Sequence, residues 1–320
     1  MNIDLLLENL SNPALLFFFL GIIAVRLKSD LSIPPNSSKF ISIYLLFSIG
    51  FKGGQELSHS PWGTEILWAL LLGLFLALVV PFYTFFILKR RLGVHNAGAI
   101  AAAYGSVSAV TFVTTVSFLE MQKIEFGGHM VAMMALMEAP AIIVGVLLMG
   151  VFNNGRIKDL QMGRVIKHSL TNGSVLLIIG SLVIGFVASE SQAEGISPFT
   201  TDIFKGFLAV FLLDMGITCG KKLSGLWQSG WFPFVFSVVI PIVNGCLVAL
   251  FSDLIVPNEG DQLLFAILAA SASYIAVPAA MKMAVPQANP GLYVPMALAI
   301  TFPFNITLGL PIYFYLIQNF

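Results

Sequence analysis

Long apolar runs, separated by short polar or basic connectors, follow one another along this whole chain. The strongest, ILWALLLGLFLALVVPFYTFFIL at 66–88, ends in Lys89-Arg90-Arg91. An α-helix needs about 17–25 mostly apolar residues to cross a bilayer. Runs of that kind lie at approximately 12–29, 37–57, 65–88, 96–119, 128–152, 171–189, 199–219, 230–252, 262–282 and 292–318. The pattern predicts an all-α integral membrane protein of ten transmembrane helices, because helices satisfy their own backbone groups where water is absent. The weakest run, 37–57, carries Lys52 and Glu56 near its end.

Two runs are interrupted. Residues 101–117, AAAYGSVSAVTFVTTVS, hold six Ser or Thr inside a charge-free span, and 263–281 contains AASASYIAVPAA. Small residues let backbones approach closely, and hydroxyls supply polar contacts in a dry place. One such segment in each half of a chain points to the substrate site of a secondary transporter.

Composition agrees with a bilayer as solvent. Of 320 residues, 58% are hydrophobic and 10% charged, with a mean hydropathy of +0.92; a soluble protein is about 25% charged. The net charge of zero suggests no nucleic-acid partner. Cys219 and Cys246 sit in apolar runs and read as packing residues. The first run follows Asp4 and Glu8 instead of a basic segment, so it reads as a retained helix. With the N-terminus outside, thirteen Lys and Arg fall inside, including Arg26, Lys28, Lys39, Lys89, Arg90, Arg91, Lys221 and Lys222, and three, Lys52, Lys123 and Lys205, fall outside. The positive-inside rule then places both termini outside a plasma (inner) membrane.

The two halves repeat. IGFKGGQEL at 49–57 parallels MGITCGKKL at 215–223, the Ser-rich run at 101–117 parallels 267–283, and Glu138-Ala139-Pro140 parallels Thr301-Phe302-Pro303. Five spans per copy is an odd number, so the second copy enters from the opposite side. The expected organisation is residues 1–160 as one five-helix repeat and 161–320 as its inverted copy, forming one transporter domain with core and gate parts. The basic stretch 153–168 is then their inner connector.

Ser108, Thr111 and Thr115 share one helical face, with Ser106 close by and Gly105 removing a side chain beside them. Ser271 and Ser273 precede Pro278, whose missing N–H favours a break near Tyr274. Freed carbonyls there suit a cation, and exposed N–H groups at a half-helix start suit an anion. Glu138 lies mid-span, where an ionisable group costs about 2.5–3.5 kcal/mol, so a cation or a proton is its expected partner. Asn305 sits near the equivalent place after Pro303. Lys52 and Asp214 are expected to pair or to reach for opposite surfaces. No HExxH, CxxC or GxSxG pattern occurs, so neither a metal centre nor an enzyme is expected.

GSVSAVT at 105–111, MEAPA at 137–141, IGFKGG at 49–54, ASASYIAVP at 270–278 and PQANPG at 286–291 resemble the sodium-dependent bicarbonate permeases of cyanobacteria and their relatives, the SbtA-like family. The resemblance runs from the first span to the tenth. It implies two inverted five-helix halves, a core moving against a gate, and a homotrimer. Bicarbonate would lie between the fourth and ninth spans, at Gly105, Ser106, Ser108, Thr111, Ser271, Ser273 and Tyr274. Sodium would lie beside it, at Glu138, Ser273 and Asn305. This chain departs from the cyanobacterial pattern at Val110, where they carry Ser, at Tyr274, where they carry Asp, and at Ala276-Val277, where they carry Ser-Gly. Its connector is shorter than theirs, which argues against a PII-like regulatory partner. The expected function is sodium-coupled symport of a small anion such as bicarbonate, with no cofactor beyond the ion. The alternatives are a carrier of a small monocarboxylate or other weak acid without sodium coupling, and a passive channel.

Overall fold

The computed structural model describes residues 7, 9–59, 63–153, 163, 165–167, 171–227 and 230–320. Asp4, Glu8 and most of the basic connector lie outside the described residues. Among those described, every regular element is helical: α1 (Pro13–Arg26), α2 (Pro35–His59), α3 (Thr64–Gly105), α4 (Ala109–Gln122), α5 (His129–Phe152), α6 (Gly173–Val187), α7 (Glu190–Ser197), α8 (Phe204–Trp227), α9 (Trp231–Phe251), α10 (Glu259–Ala270), α11 (Ala276–Ala284) and α12 (Pro290–Asn319). Five stretches, 66–122, 129–152, 190–223, 231–254 and 290–319, are long and apolar enough to cross a membrane, and α1 and α6 are shorter apolar helices.

The first of those stretches has 57 residues. Straight, it would be about 85 Å long at ~1.5 Å per residue, far more than a bilayer needs. It is broken twice. At Gly93 the backbone turns to φ 76°, ψ 162°, a region that a side chain disfavours. Between Gly105 and Ala109 the helix opens altogether, as expected from the Ser-rich sequence. The second expected break is also present: α10 stops at Ala270 and α11 starts at Ala276. Pro278 lies in the first turn of α11, where its missing N–H costs no hydrogen bond.

Two elements differ from the hydrophobic pattern. The stretch ESQAEGIS forms α7, held by a capping box between Ser189 and Gln192; its helical order comes from capping and not from an apolar face. A π-helical turn, Pro198–Asp202, joins it towards α8. Within α12 the hydrogen-bond register widens at Met296–Thr301 and Asn305–Gly309. Pro295, Pro303 and Pro311 remove donors there, and the wider turns absorb the mismatch. At Pro140, by contrast, α5 runs on without a break.

Helix pairing is tight where glycines face a neighbouring backbone. α1 packs on α8 and α2 on α6. A Cβ on Gly216 would strike the Phe18 carbonyl oxygen; one on Gly54 would strike that of Leu182, and one on Gly185 that of Phe51. α3 packs on α5, and α9 packs on α10 and α12. Around the interruptions, α4 packs on α10, and α11 packs on α3 and α5.

Candidate functional site: two broken helices crossing at a cavity

α3 and α10 end in the same way. Ser106 caps the first at φ −83°, ψ 179°, and Ser271 caps the second at φ −83°, ψ 168°. Each chain then leaves the helical path before its second helix begins. The two breaks bond to one another: the Ser108 amide donates to Ser271 Oγ at 3.0 Å, and the Ser273 amide donates to the Ala103 carbonyl in the last turn of α3 at 2.8 Å. Ser271 Oγ also donates to the Leu268 carbonyl at 3.1 Å. The two breaks therefore satisfy each other's polar groups, as buried backbone requires.

The carbonyls freed at the end of α10 are occupied. Asn244 Nδ2 donates to Ala269 at 3.1 Å, and Asn305 Nδ2 donates to Ala270 at 2.8 Å. Asn244 Oδ1 in turn accepts from the Tyr83 hydroxyl at 2.5 Å, and Asn305 Oδ1 from that of Tyr313 at 3.3 Å. Asn305 is fully buried and lies outside the cavity lining, where it acts as a brace for the broken helix.

A cavity of about 30 Å³ lies at the crossing. Its walls include Ser108, Ala109 and Val110 at the start of α4, Ser273 to Ala276 at the start of α11, and Glu138 from α5. Two helix N-termini thus face one small space. Their first-turn N–H groups have no partner within the helix, apart from those of Thr111 and Val277, which donate to the hydroxyls of Ser108 and Ser273 at 3.2 and 3.4 Å. Partial positive charge from both helix ends favours an anion there. Glu138 brings the opposite sign. It is 7% exposed, and its Oε1 has no hydrogen-bond partner. A buried carboxylate in that state needs a cation or a proton. Thr301 of α12 is engaged, with Tyr104 at 2.7 Å and the Ser237 carbonyl at 2.8 Å.

Of the residues singled out from sequence, Ser108, Ser273, Tyr274 and Glu138 come together at the cavity. Ser271 stands behind them as a brace. Gly105 packs on the Pro81 ring, which a Cβ would strike. Ser106 and Thr111 are buried, their hydroxyls make no hydrogen bond, and neither lines the cavity. Thr115 bonds back to the Thr111 carbonyl at 2.9 Å. The cavity also takes Ser42, Leu45 and Leu46 from α2, Ser174 from α6 and Phe211 from α8, which sequence reading did not single out. Asn244 was missed as well, although a lone Asn in an apolar run was a signal.

Beside the cavity a vestibule of about 460 Å³ opens near the start of α2, lined by Ser38, Lys39, Asp214, Thr218 and Lys221 among others. Asp214 accepts from Ser38 Oγ at 2.5 Å. Further along α2, Lys52 forms an ion pair with Glu120 of α4, which Lys205 approaches at 3.9 Å. Lys52 and Asp214 therefore serve different partners instead of pairing with each other. The 13 residue steps from Lys39 to Lys52 place the open vestibule and this ion pair about 20 Å apart along one helix.

A search of curated proteins finds no match. A family model described as the Na+-dependent bicarbonate transporter superfamily matches residues 13–318. That match starts with α1, ends within α12 and takes in both broken helices. The chain belongs to the Na+-dependent bicarbonate transporter superfamily, and it is a multi-pass membrane protein.

Proposed function

We propose that this protein is a secondary active transporter, a sodium-coupled symporter of bicarbonate that works by alternating access. The observation that carries the proposal is the cavity at Ser108 and Ser273, where two helix N-termini favour an anion and the unpartnered Glu138 carboxyl favours a cation. An anion and a cation placed together neutralise one another, which lowers the cost of carrying either through a dry interior. Hard cations such as sodium take oxygen ligands, and Glu138 Oε1 and Ser273 Oγ are oxygens on that wall.

The proposal includes two inverted repeats, 1–160 and 161–320. Exchange of the halves would turn the α1–α8 pair into the α6–α2 pair, and both pairs exist with glycines at their crossings. α1, α2, α6 and α8 would form the gate, and the broken helices with their neighbours the core. Lys39 and Lys221 favour the inner side for the vestibule, and the proposal puts both termini outside a plasma membrane. On that assignment the vestibule, but not the cavity behind it, opens inward, and Lys52 and Glu120 close the outer side. Assembly as a homotrimer belongs to the same proposal and rests on the family resemblance alone.

The test is uptake of labelled bicarbonate by purified protein in liposomes, with and without an inward sodium gradient. Uptake that follows the gradient is expected; equal uptake in both removes sodium coupling. A second reading has one observation in its favour. Leu45, Leu46, Val107, Val110, Val113, Phe211 and Tyr274 make much of the wall apolar, which suits a small monocarboxylate. Competition by acetate at concentrations that leave bicarbonate without effect would select that reading.

A further inference from the structure

The cavity and the vestibule are separate spaces, yet Ser42, Phe211, Tyr274 and Ile275 line both. Those four residues form the wall that the two spaces share. Ser42 and Phe211 come from α2 and α8; Tyr274 and Ile275 come from the bend that leads from α10 into α11. Tyr274 is 9% exposed. Its ring rests edge-on against Phe302 at 5.9 Å, and Phe302 rests edge-on against Phe18 at 5.7 Å. Its hydroxyl lies beside Ser108 and makes no hydrogen bond of ordinary geometry. A buried hydroxyl without a well-formed hydrogen bond is unfavourable, and packing alone does not explain it. The cavity is much the smaller of the two spaces, about 30 Å³ against about 460 Å³ for the vestibule on the same measure, so the Tyr274 ring on its wall limits what fits there. The adjoining space with room for a displaced ring is the vestibule.

We propose that Tyr274 is both the gate and the size filter of the solute site: its ring closes the way through that shared wall, and its hydroxyl donates to an anion that has entered. This rests on the cavity being the place of the solute. The ring must turn towards the vestibule to admit or release cargo, and its return limits how large a cargo fits behind it.

Access and cargo are tested separately. In a Cys219→Ala, Cys246→Ala background, Ala109→Cys places a thiol on the cavity wall and Thr218→Cys places one in the vestibule. Each purified protein in detergent is treated with a small methanethiosulfonate reagent and with a bulky maleimide–biotin. The cavity thiol is expected to react slowly with both. Adding Tyr274→Ala is expected to raise its rate at least tenfold, most for the bulky reagent, with the vestibule thiol unchanged. Tyr274→Phe is expected to keep the slow rate, because the ring remains. If the alanine variant does not fold, as judged by altered labelling of the vestibule thiol, Tyr274→Ser reads the same arm. An unchanged cavity rate after loss of the ring, with normal vestibule labelling, overturns the gate. Faster labelling in a protein that carries no bicarbonate upholds the gate and removes only the cargo reading. In liposomes, Tyr274→Ala is further expected to admit larger monocarboxylates that the parent excludes.

Discussion

The backbone amide of Ser108 donates to the side chain of Ser271 at 3.0 Å across 163 residues of sequence. One hydroxyl thus stitches the break in the first half to the break in the second. Ser271→Ala removes that acceptor and leaves a buried N–H unpaired, a loss of about 1–3 kcal/mol. Thermal unfolding in detergent is expected to shift down for the alanine variant and to recover much of the loss in Ser271→Thr, which restores a hydroxyl.

Glu138 is expected to answer to sodium. In the parent protein, replacing potassium by sodium chloride at constant ionic strength should raise the unfolding temperature, because a ligand that binds the folded state stabilises it. Glu138→Gln should abolish that difference and sodium-dependent uptake together. Its own unfolding temperature in potassium should be no lower than the parent's, since the variant buries no unpaired charge. A sodium shift that survives in Glu138→Gln would remove this residue from the ion site.

Asn305 yields the opposite pattern. Asn305→Ala leaves the Ala270 carbonyl without its donor, so stability should fall by about 1–3 kcal/mol. The sodium concentration for half-maximal uptake should stay within about twofold of the parent. A tenfold rise would return Asn305 to the list of ion ligands.

The Lys52–Glu120 pair joins α2 to α4, and its side chains are about a quarter exposed. Pairs of that exposure are worth about 0–1 kcal/mol. A double-mutant cycle of Lys52→Met and Glu120→Gln on unfolding temperature should give a coupling inside that range, shrinking at high salt. In the proposed alternating-access cycle the pair closes the outer side, so Glu120→Gln is also expected to increase labelling of an Ala109→Cys thiol from that side.

Gly54 and Gly216 should tolerate alanine equally badly, since a Cβ at either strikes a backbone oxygen; overpacking of this kind costs about 1–3 kcal/mol. Gly180, with nothing near its absent Cβ, should accept alanine with a slight gain. Yields of monodisperse protein and unfolding temperatures make the comparison.

Both breaks were legible in the sequence because hydroxyl-rich, small-residue segments cannot be ordinary lipid-facing helix, and Pro278 marks where the second one restarts. Glu138 was legible from its cost. The jobs of Ser271 and Asn305 were not, because they consist of satisfying particular carbonyls and amides far away in the chain. The wall from Ser42, Leu45 and Phe211 was equally hidden; nothing distinguishes these residues locally, and only packing brings them to the cavity. Lys52 was seen as an anomaly, but its partner Glu120 reads as an ordinary acid at the end of an apolar run. The helix α7 was missed because its capping box is a local signal that hydrophobic periodicity ignores.

The glycine-lined crossings have a consequence for biosynthesis. α1 leaves the ribosome early, yet the surface that receives it, on α8, begins only at Phe204. Until then the carbonyls around Phe18 face lipid or a chaperone, and α2 likewise waits for α6. On this pairing α1 and α2 complete their packing only once α8 and α6 are inserted, so nascent chains halted before α8 are expected to remain open to quality-control proteases.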